Sequence, residues 1–219
     1  MQVLTQEWIY LSVIALQQDV SLRQQFTTEI PVYSPDLKCY INFIDETGTD
    51  CRNLVCKYEI QYERKATEKP LLFVRGERVS TIACTCMSMA GLMDVKTLTG
   101  TSDGDTFYSF VQTHFIPQLI SYDGINPHSI VIMDNSRYSP CPWGREVHQD
   151  LGALIHFLPP YSPDFNPIEE TFSKVKLSMK SIEKELVHTS DCEALLLLSF
   201  LQVTPEDCQA WICNCGIYI

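Results

Sequence analysis

A short, uninterrupted run of apolar residues that ends in an acidic residue constrains the fold of this chain more than any other feature. Residues 129–133 read Ser-Ile-Val-Ile-Met, and Asp134 follows them directly. A second run at 154–158, Leu-Ile-His-Phe-Leu, is closed by Pro159-Pro160. Runs of this length without alternation are typical of central strands covered on both faces, which occur mainly in parallel or mixed sheets. They predict an α/β protein.

Three further strands are predicted upstream of these runs. Residues 40–44 form a short strand that ends at Asp45, with Thr47-Gly48 as the turn behind it. Residues 78–87 and 92–98 are rich in Val, Ile and Thr, and Ala90-Gly91 between them predicts a tight turn that joins the two as a strand pair.

Helices are predicted between and around the strands. Residues 1–30 form a helical lead-in, a helix starts at 103–106 with an apolar face that includes Phe107 and Phe115, and another is expected at 145–152. The last clear helix begins at Asn166-Pro-Ile-Glu, where Asn is a favoured cap and Pro suits the first helical position. The order indicates a mixed central sheet flanked by helices.

The composition is that of a soluble, folded protein. The chain has 219 residues, of which 45% are apolar and 20% charged, enough for one sizeable domain. No signal peptide or apolar stretch of membrane-spanning length is recognised, so we expect a soluble intracellular protein with no membrane partner. The ten cysteines include no Cys-x-x-Cys pair, so a structural zinc site is not expected.

The net charge of -11 argues against a surface that grips nucleic acid everywhere, but it leaves room for a local basic track. The candidates for contacts to nucleic acid are Lys174, Lys176 and Lys180, which lie within the last clear helix. The other basic residues that are candidates for such a track are Lys57, Arg64, Lys65, Lys69, Arg75 and Arg78.

Three carboxylates are the candidate catalytic residues. Asp45 and Asp134 each follow an apolar strand, where α/β folds commonly place ligands, and Glu169 stands at the start of a helix. Taken singly, each has an ordinary alternative as a turn or capping residue. Together in one pocket they would repel one another unless cations neutralised them, and oxygen ligands favour Mg²⁺ or Mn²⁺. Two such ions support phosphodiester displacement.

At these residues the chain resembles the DDE transposases of the Tc1/mariner and IS630 group. The resemblance runs over about 21–180, and the motifs that carry it are Phe43-Ile-Asp-Glu-Thr-Gly, Val131-Ile-Met-Asp-Asn and Leu158-Pro-Pro-Tyr-Ser-Pro-Asp-Phe-Asn-Pro-Ile-Glu-Glu. Between Asp134 and Glu169 lie 34 residues, the spacing after which the Tc1-like DD34E branch is named.

The resemblance implies an RNase H-like fold in which Asp45, Asp134 and Glu169 hold two Mg²⁺ or Mn²⁺ ions. It implies metal-dependent DNA strand cleavage and strand transfer, with DNA as the partner and the nucleus as the location. A homodimer is left open. The expected organisation is a helical lead-in at 1–35, the catalytic domain at 36–182 and a helical tail at 183–219.

Two departures from the family keep a second interpretation open. The 44 residues before Asp45 are too few for the family's paired helix-turn-helix modules, and Arg137-Tyr-Ser-Pro-Cys-Pro-Trp-Gly stands where the family commonly has a histidine. The alternative is therefore a decayed or domesticated remnant that binds nucleic acid or protein without catalysis. A retroviral-type integrase lacks its zinc module here, and a metal site built from His114, His128, His148 and His156 is not favoured by their spacing.

Overall fold

The computed structural model describes seven stretches of the chain, 18–33, 41–50, 78–86, 91–99, 104–134, 151–185 and 192–217. Some of the sequence predictions lie outside the described residues. These are the lead-in helix before residue 18, the helix at 145–150, the family departure at 137–144, the side chain of Arg78, and His148, Lys57, Arg64, Lys65, Lys69 and Arg75.

A five-stranded sheet forms the centre of the described structure, with the strand order β3-β2-β1-β4-β5. The strands are β1 (Ile41–Asp50), β2 (Arg78–Cys86), β3 (Leu92–Thr99), β4 (Ile130–Met133) and β5 (Leu154–Phe157). β1, β2 and β3 pair antiparallel, whereas β4 pairs parallel with both β1 and β5. The predicted mixed sheet and the predicted pairing of the second and third strands are confirmed.

The first strand is longer than the sequence predicted. β1 continues through Asp45 and through the expected turn at Thr47-Gly48, where Gly48 pairs with Ser80 of β2. The prediction that this strand ends at Asp45 was therefore wrong for the strand as a whole. It holds for the parallel part alone, because β1 pairs with β4 only from Ile41 to Ile44. The antiparallel neighbour extends the strand beyond its local turn signal.

The two apolar runs occupy different places in the sheet. Every residue of β4 is buried, as predicted for a central strand. β5 lies at the edge of the described sheet, and Phe157 at its end is 39% exposed. The expectation that both runs form central strands was therefore wrong for β5. An apolar run marks a strand that packs against a core, but it does not say which neighbours pair with it.

In the described stretches, five α-helices surround the sheet: α1 (Val20–Tyr33), α2 (Gly104–Phe110), α3 (Ile168–Glu185), α4 (Cys192–Phe200) and α5 (Pro205–Asn214). α2 continues as a π-helical turn (Val111–Phe115) and a 3-10 turn (Ile116–Gln118). Two of the helices have well-defined caps. The Asp19 carboxylate accepts the first backbone N–H groups of α1, and Thr204 and Asp207 form a capping box on α5.

Both faces of the sheet are covered, because alternate residues of the central strands enter two separate cores. On one face Phe43 and Ile132 pack with residues of α1, α3, α4 and α5. On the other face Ile44 and Val131 pack with α2 and its continuation. The predicted arrangement of helices flanking a central sheet is confirmed. Among the described helices, none has the length and apolar character needed to span a bilayer.

Candidate functional site

Asp45 and Asp134 lie side by side at the end of the parallel part of the sheet. The last parallel pair joins Ile44 of β1 to Met133 of β4, and each aspartate is the next residue of its own strand. Parallel strands end on the same edge of a sheet, so this register brings both side chains to one place. The two strands are neighbours in the sheet, while the catalytic roles of the aspartates stay a prediction.

A tightly folded segment leads from β5 to Glu169 and lies opposite Asp45 and Asp134. The backbone N–H of Leu158 donates to Met133 O at 2.8 Å, and a 3-10 turn (Pro163–Phe165) follows. Tyr161 adopts a φ of +56°, a left-handed conformation that is uncommon for a residue with a side chain. α3 then starts, with Glu169 exposed in its first turn.

Asn166 joins this segment to the strands. Its side-chain Nδ2 donates to Asp45 Oδ2 at 2.8 Å, and its Oδ1 accepts the backbone N–H of Ile168 at 3.3 Å. The sequence predicted only the second of these contacts, as a helix cap. The contact with Asp45 was not predicted. The one feature of the sequence that points to Asn166 is its place in the Pro-Tyr-Ser-Pro-Asp-Phe-Asn-Pro motif, which carries the family resemblance.

These elements enclose a pocket of about 450 Å³. All three predicted carboxylates line it, together with Asn166 and the segment that precedes it; the lining is Asp45, Asp134, Leu158, Pro159, Pro160, Tyr161, Ser162, Pro163, Asn166 and Glu169. The structure thus brings together residues that are distant in the chain, such as Asn166 and Asp45, which are 121 positions apart. An acidic pocket at a strand edge is a suitable place for a cationic ligand.

The surroundings of Asp45 in the pocket shift its pKa strongly. The pKa of Asp45 is raised to about 7, first by burial and then by the charges of Glu169 and Asp134, against the backbone N–H of Glu46 and the Asn166 amide, which lower it. A carboxyl group in this environment binds a proton more readily than usual. A bound cation would remove the same penalty.

The donor chemistry of the pocket fits a divalent ion of the Mg²⁺ or Mn²⁺ type. Asp45, Asp134 and Glu169 offer only carboxylate oxygens, the ligands that these hard cations prefer. Their mutual repulsion, seen at Asp45, is the property that a cation neutralises. Within the described ranges, however, no set of three or more histidine, cysteine or acidic side chains is arranged to hold an ion.

The three lysines of the predicted basic track have different environments. Lys174 forms an ion pair with Asp207 of α5, and its predicted phosphate contact stays a prediction. Lys176 is exposed on α3, and Lys180 is partly buried. The pocket lining, as far as it is described, includes none of the three.

The histidines whose side chains the structure describes make separate contacts. His114 Nδ1 lies 2.9 Å from Asp94 Oδ2, and His128 Nδ1 lies 3.0 Å from Asn42 Oδ1. Burial lowers the pKa of both His128 and His156. These contacts hold parts of the fold together and lie outside the acidic pocket.

A family model described as "DDE superfamily endonuclease" matches residues 40–189. This range contains Asp45, Asp134 and Glu169 and all five strands. No curated protein matches the chain.

Solved structures that are similar to this chain include the Mos1 mariner paired end complex with Mn, which is 12% identical over 98% of this chain and 68% of that chain, with a TM-score of 0.50. The Mos1 transposase catalytic domain with raltegravir and Mg is 14% identical over 95% of this chain and 100% of that chain, with a TM-score of 0.49. The catalytic core domain of BIV integrase is 11% identical over 78% and 94%, with a TM-score of 0.45. The RNase H-like fold predicted from the sequence is confirmed.

Two other similar structures contain longer proteins, of which this chain spans less than two thirds. It covers 46% of the matched chain in the simian T-cell lymphotropic virus intasome with the PP2A regulatory subunit B56 gamma, and 66% of that in the Mos1 strand transfer complex.

Proposed function

The chain belongs to the DDE superfamily endonuclease family, whose model covers residues 40–189, and from that premise we propose that it is the catalytic core of a Tc1-like transposase. The resemblance to the Tc1/mariner group noted in the sequence is confirmed at the level of this family. The proposed activity is divalent-metal-dependent cleavage of DNA strands and their transfer. DNA is the proposed substrate.

One observation supports this activity most directly. Asp45, Asp134 and Glu169 line a single pocket, and the charges of the other two raise the pKa of Asp45. A pocket that collects three mutually repelling carboxylates is costly for a protein that does not bind a cation there. The same three residues are those that the family resemblance assigns to catalysis.

In the proposed reaction Asp45, Asp134 and Glu169 hold two Mg²⁺ or Mn²⁺ ions. When bound, such ions activate a water or a DNA 3′-hydroxyl and stabilise the leaving oxygen. The chain's own contribution is positioning. Asn166 orients the Asp45 carboxylate by donating to Oδ2, and the sheet register keeps Asp134 beside it. Glu169 is exposed, so its side chain is able to turn toward the aspartates.

The remaining features of the proposal concern the partners and the division of the chain. Lys176 and Lys180 are proposed to contact DNA phosphates, with Lys174 committed to Asp207. The limits at 1–35, 36–182 and 183–219 are proposed as well, although Phe200 of the tail packs in the same core as β4. A nuclear location and a homodimer complete the proposal.

The decisive experiment measures nicking of a supercoiled plasmid by the purified chain with Mn²⁺, with Mg²⁺ and without divalent ions. We expect metal-dependent nicking that Asp134→Asn abolishes. The matched control is Glu170→Gln, because Glu170 is exposed and lies about 100° around the helix from Glu169. Nicking that persists in Asp134→Asn, or that needs no ion, contradicts the assignment.

The second candidate function is a non-catalytic module that binds nucleic acid or protein. It is favoured by one observation, that in the described part of the chain no group of three acidic side chains is arranged so that it could hold an ion. A folded chain that binds DNA in a gel-shift assay but never nicks it, with either ion, would select this function over cleavage.

A further inference from the structure

The segment 161–166 contributes residues to the pocket lining and leads into α3. An ion pair joins this segment to α1. The two terminal guanidinium nitrogens of Arg23 donate to the Asp164 carboxylate, Nη1 to Oδ1 at 2.9 Å and Nη2 to Oδ2 at 2.5 Å. This two-point geometry is specific to arginine and fixes the orientation of the carboxylate as well as its distance. The Arg23 side chain is only 19% exposed.

The residue after Asp164 is held by the same helix through its ring. The Arg23 guanidinium lies 3.9 Å from the centre of the Phe165 ring, and the Phe26 ring stacks on Phe165 with a centroid distance of 5.7 Å. At the start of the segment, Gln18 Nε2 donates to Tyr161 O at 3.1 Å. Residues 18–26 therefore contact the segment at its first, fourth and fifth residues.

These contacts are relayed to the acidic pocket through the next residue. Asn166 follows Phe165 directly, and its backbone N–H donates to Pro163 O at 2.9 Å within the 3-10 turn. Its side chain reaches Asp45 and the first N–H of α3. A displacement of Asp164 and Phe165 would therefore shift both the partner of Asp45 and the helix turn that carries Glu169.

We propose that Arg23 is a positioning residue, which holds Asp164 and Phe165 so that Asn166 and the first turn of α3 stay in register with Asp45. This inference rests on the proposed function for its consequence on cleavage, but its structural content stands independently. α1 then belongs to the active-site scaffold although it contributes no residue to the pocket lining that the structure describes. The Arg23 guanidinium also holds the pKa of Asp164 below its usual range, as a persistent ion pair requires.

Amide hydrogen exchange of the full chain without divalent ions tests the structural content. In Arg23→Gln and in Asp164→Asn we expect the amides of Phe165, Asn166 and Glu169 to exchange about fivefold faster or more, while the amides of β4 keep their wild-type rates. The control is Gln25→Ala on the same helix, whose side chain bonds to Glu29. It should leave the turn unchanged.

The exchanged pair, Arg23→Asp with Asp164→Arg, should restore much of the protection. Unchanged turn amides in both single variants would overturn the proposal, and so would equal acceleration throughout the chain together with an equal effect of Gln25→Ala.

Steady-state nicking with Mn²⁺ then separates positioning from general stability. Arg23→Gln should lower kcat about tenfold at a nearly unchanged KM for DNA, because a misplaced site is affected in the reaction rather than in substrate capture. A raised KM at constant kcat would overturn the proposal for cleavage. If the wild-type chain does not nick at all, the proposed function fails, while the exchange result still decides whether Arg23 positions the turn.

Discussion

The strand wall of the pocket consists of Asp45 on β1 and Asp134 directly after β4, and it is positioned by backbone pairing. The helix wall consists of residues 161–166 and the first turn of α3, and it is positioned by side-chain contacts. On the strand wall the register from Ile41 to Ile44 places the two aspartates. On the helix wall a few contacts, chiefly Arg23 with Asp164 and Asn166 with Asp45, set the position of Glu169.

The difference concerns how each wall responds to change. β1 and β4 are buried where they pair, and no single side chain decides their register. The helix wall lies nearer the surface, with Asp164, Tyr161 and Glu169 exposed, and each contact there is made by one residue. One half of the pocket is thus held by backbone pairing and the other by single side-chain contacts. Substitutions in the two halves should therefore have different effects.

The largest expected effect is the loss of cleavage when Glu169, the exposed carboxylate of the site, is changed. Glu169→Gln should reduce Mn²⁺-dependent nicking by about 100-fold or more, because losing a metal ligand costs several kcal/mol of transition-state stabilisation. Its free energy of unfolding should change by less than about 0.5 kcal/mol, because the side chain is exposed. Plasmid nicking and urea unfolding measure the two quantities.

Glu170→Gln serves as the control for this change, with wild-type nicking and wild-type stability expected. A Glu169→Gln variant that keeps more than a tenth of the wild-type rate would remove Glu169 from the catalytic set.

The next effect belongs to the strand wall and depends on pH. Without divalent ions the pKa of Asp45 rises from its usual value of 3.8 to about 7 on folding, so between these pH values the folded chain holds more protons at this site than the unfolded chain. The contribution of Asp45 to stability is therefore present at low pH and is lost as pH rises through about 7. Asp45→Asn should flatten this part of the profile.

Urea unfolding of both chains at pH 5 and pH 8 measures this difference, with Glu170→Gln as the control that keeps the wild-type profile. Parallel profiles for wild type and Asp45→Asn would show that Asp45 titrates normally in the folded chain.

A smaller effect is expected from ion binding itself, which joins the two walls. Mn²⁺ at about 100 times its Kd should stabilise the wild-type chain by about 2.7 kcal/mol, because the ion binds the folded site. The measurement is the shift of Tm on adding Mn²⁺ at neutral pH. Asp45→Asn should lose most of the shift, and an equal shift in both chains would indicate unspecific binding.

The sequence was most informative where the signal is local. The run before Asp134 identified β4, and Asn166-Pro-Ile-Glu identified the start of α3, because burial on both faces and helix capping each leave a pattern within a few residues. The strand pair β2 and β3 was predicted for the same reason. The strand that leads to Asp134 and the helix that carries Glu169 could therefore be placed from sequence alone.

The contacts that position the helix wall and the limits of β1 could not be predicted in this way, because they depend on distant partners. The Arg23 contact spans 141 positions and the Asn166 contact 121, and neither leaves a periodic pattern. β1 runs through Thr47-Gly48 because β2 pairs with it there, which outweighs a local turn signal. The ion pair of Lys174 with Asp207 of α5 is another contact that no local pattern in the sequence indicates.

A further test of the helix wall changes the residue that packs behind Phe165. A Cβ added at Gly216 would lie 2.8 Å from Phe165 Cε1, and the ring cannot retreat easily because Phe26 stacks on it. Gly216→Ala should therefore destabilise the chain by about 1–2 kcal/mol, as overpacking does. Urea unfolding measures the change, and Asn214→Ala, at an exposed position, is the control with no expected effect.

The smallest expected effect lies on the outward side of α3, beyond the helix wall, and concerns the capture of DNA. Lys176→Gln should weaken binding to duplex DNA and lower the slope of log affinity against log salt by about one, because one phosphate contact is lost. Lys174→Gln should leave that slope unchanged, since its ammonium group already pairs with Asp207, and should instead cost a little stability. Fluorescence anisotropy over a series of salt concentrations distinguishes the two lysines. If Lys174→Gln lowers the slope as much as Lys176→Gln, the ion pair with Asp207 opens on DNA, and both lysines belong to the basic track that the sequence predicted.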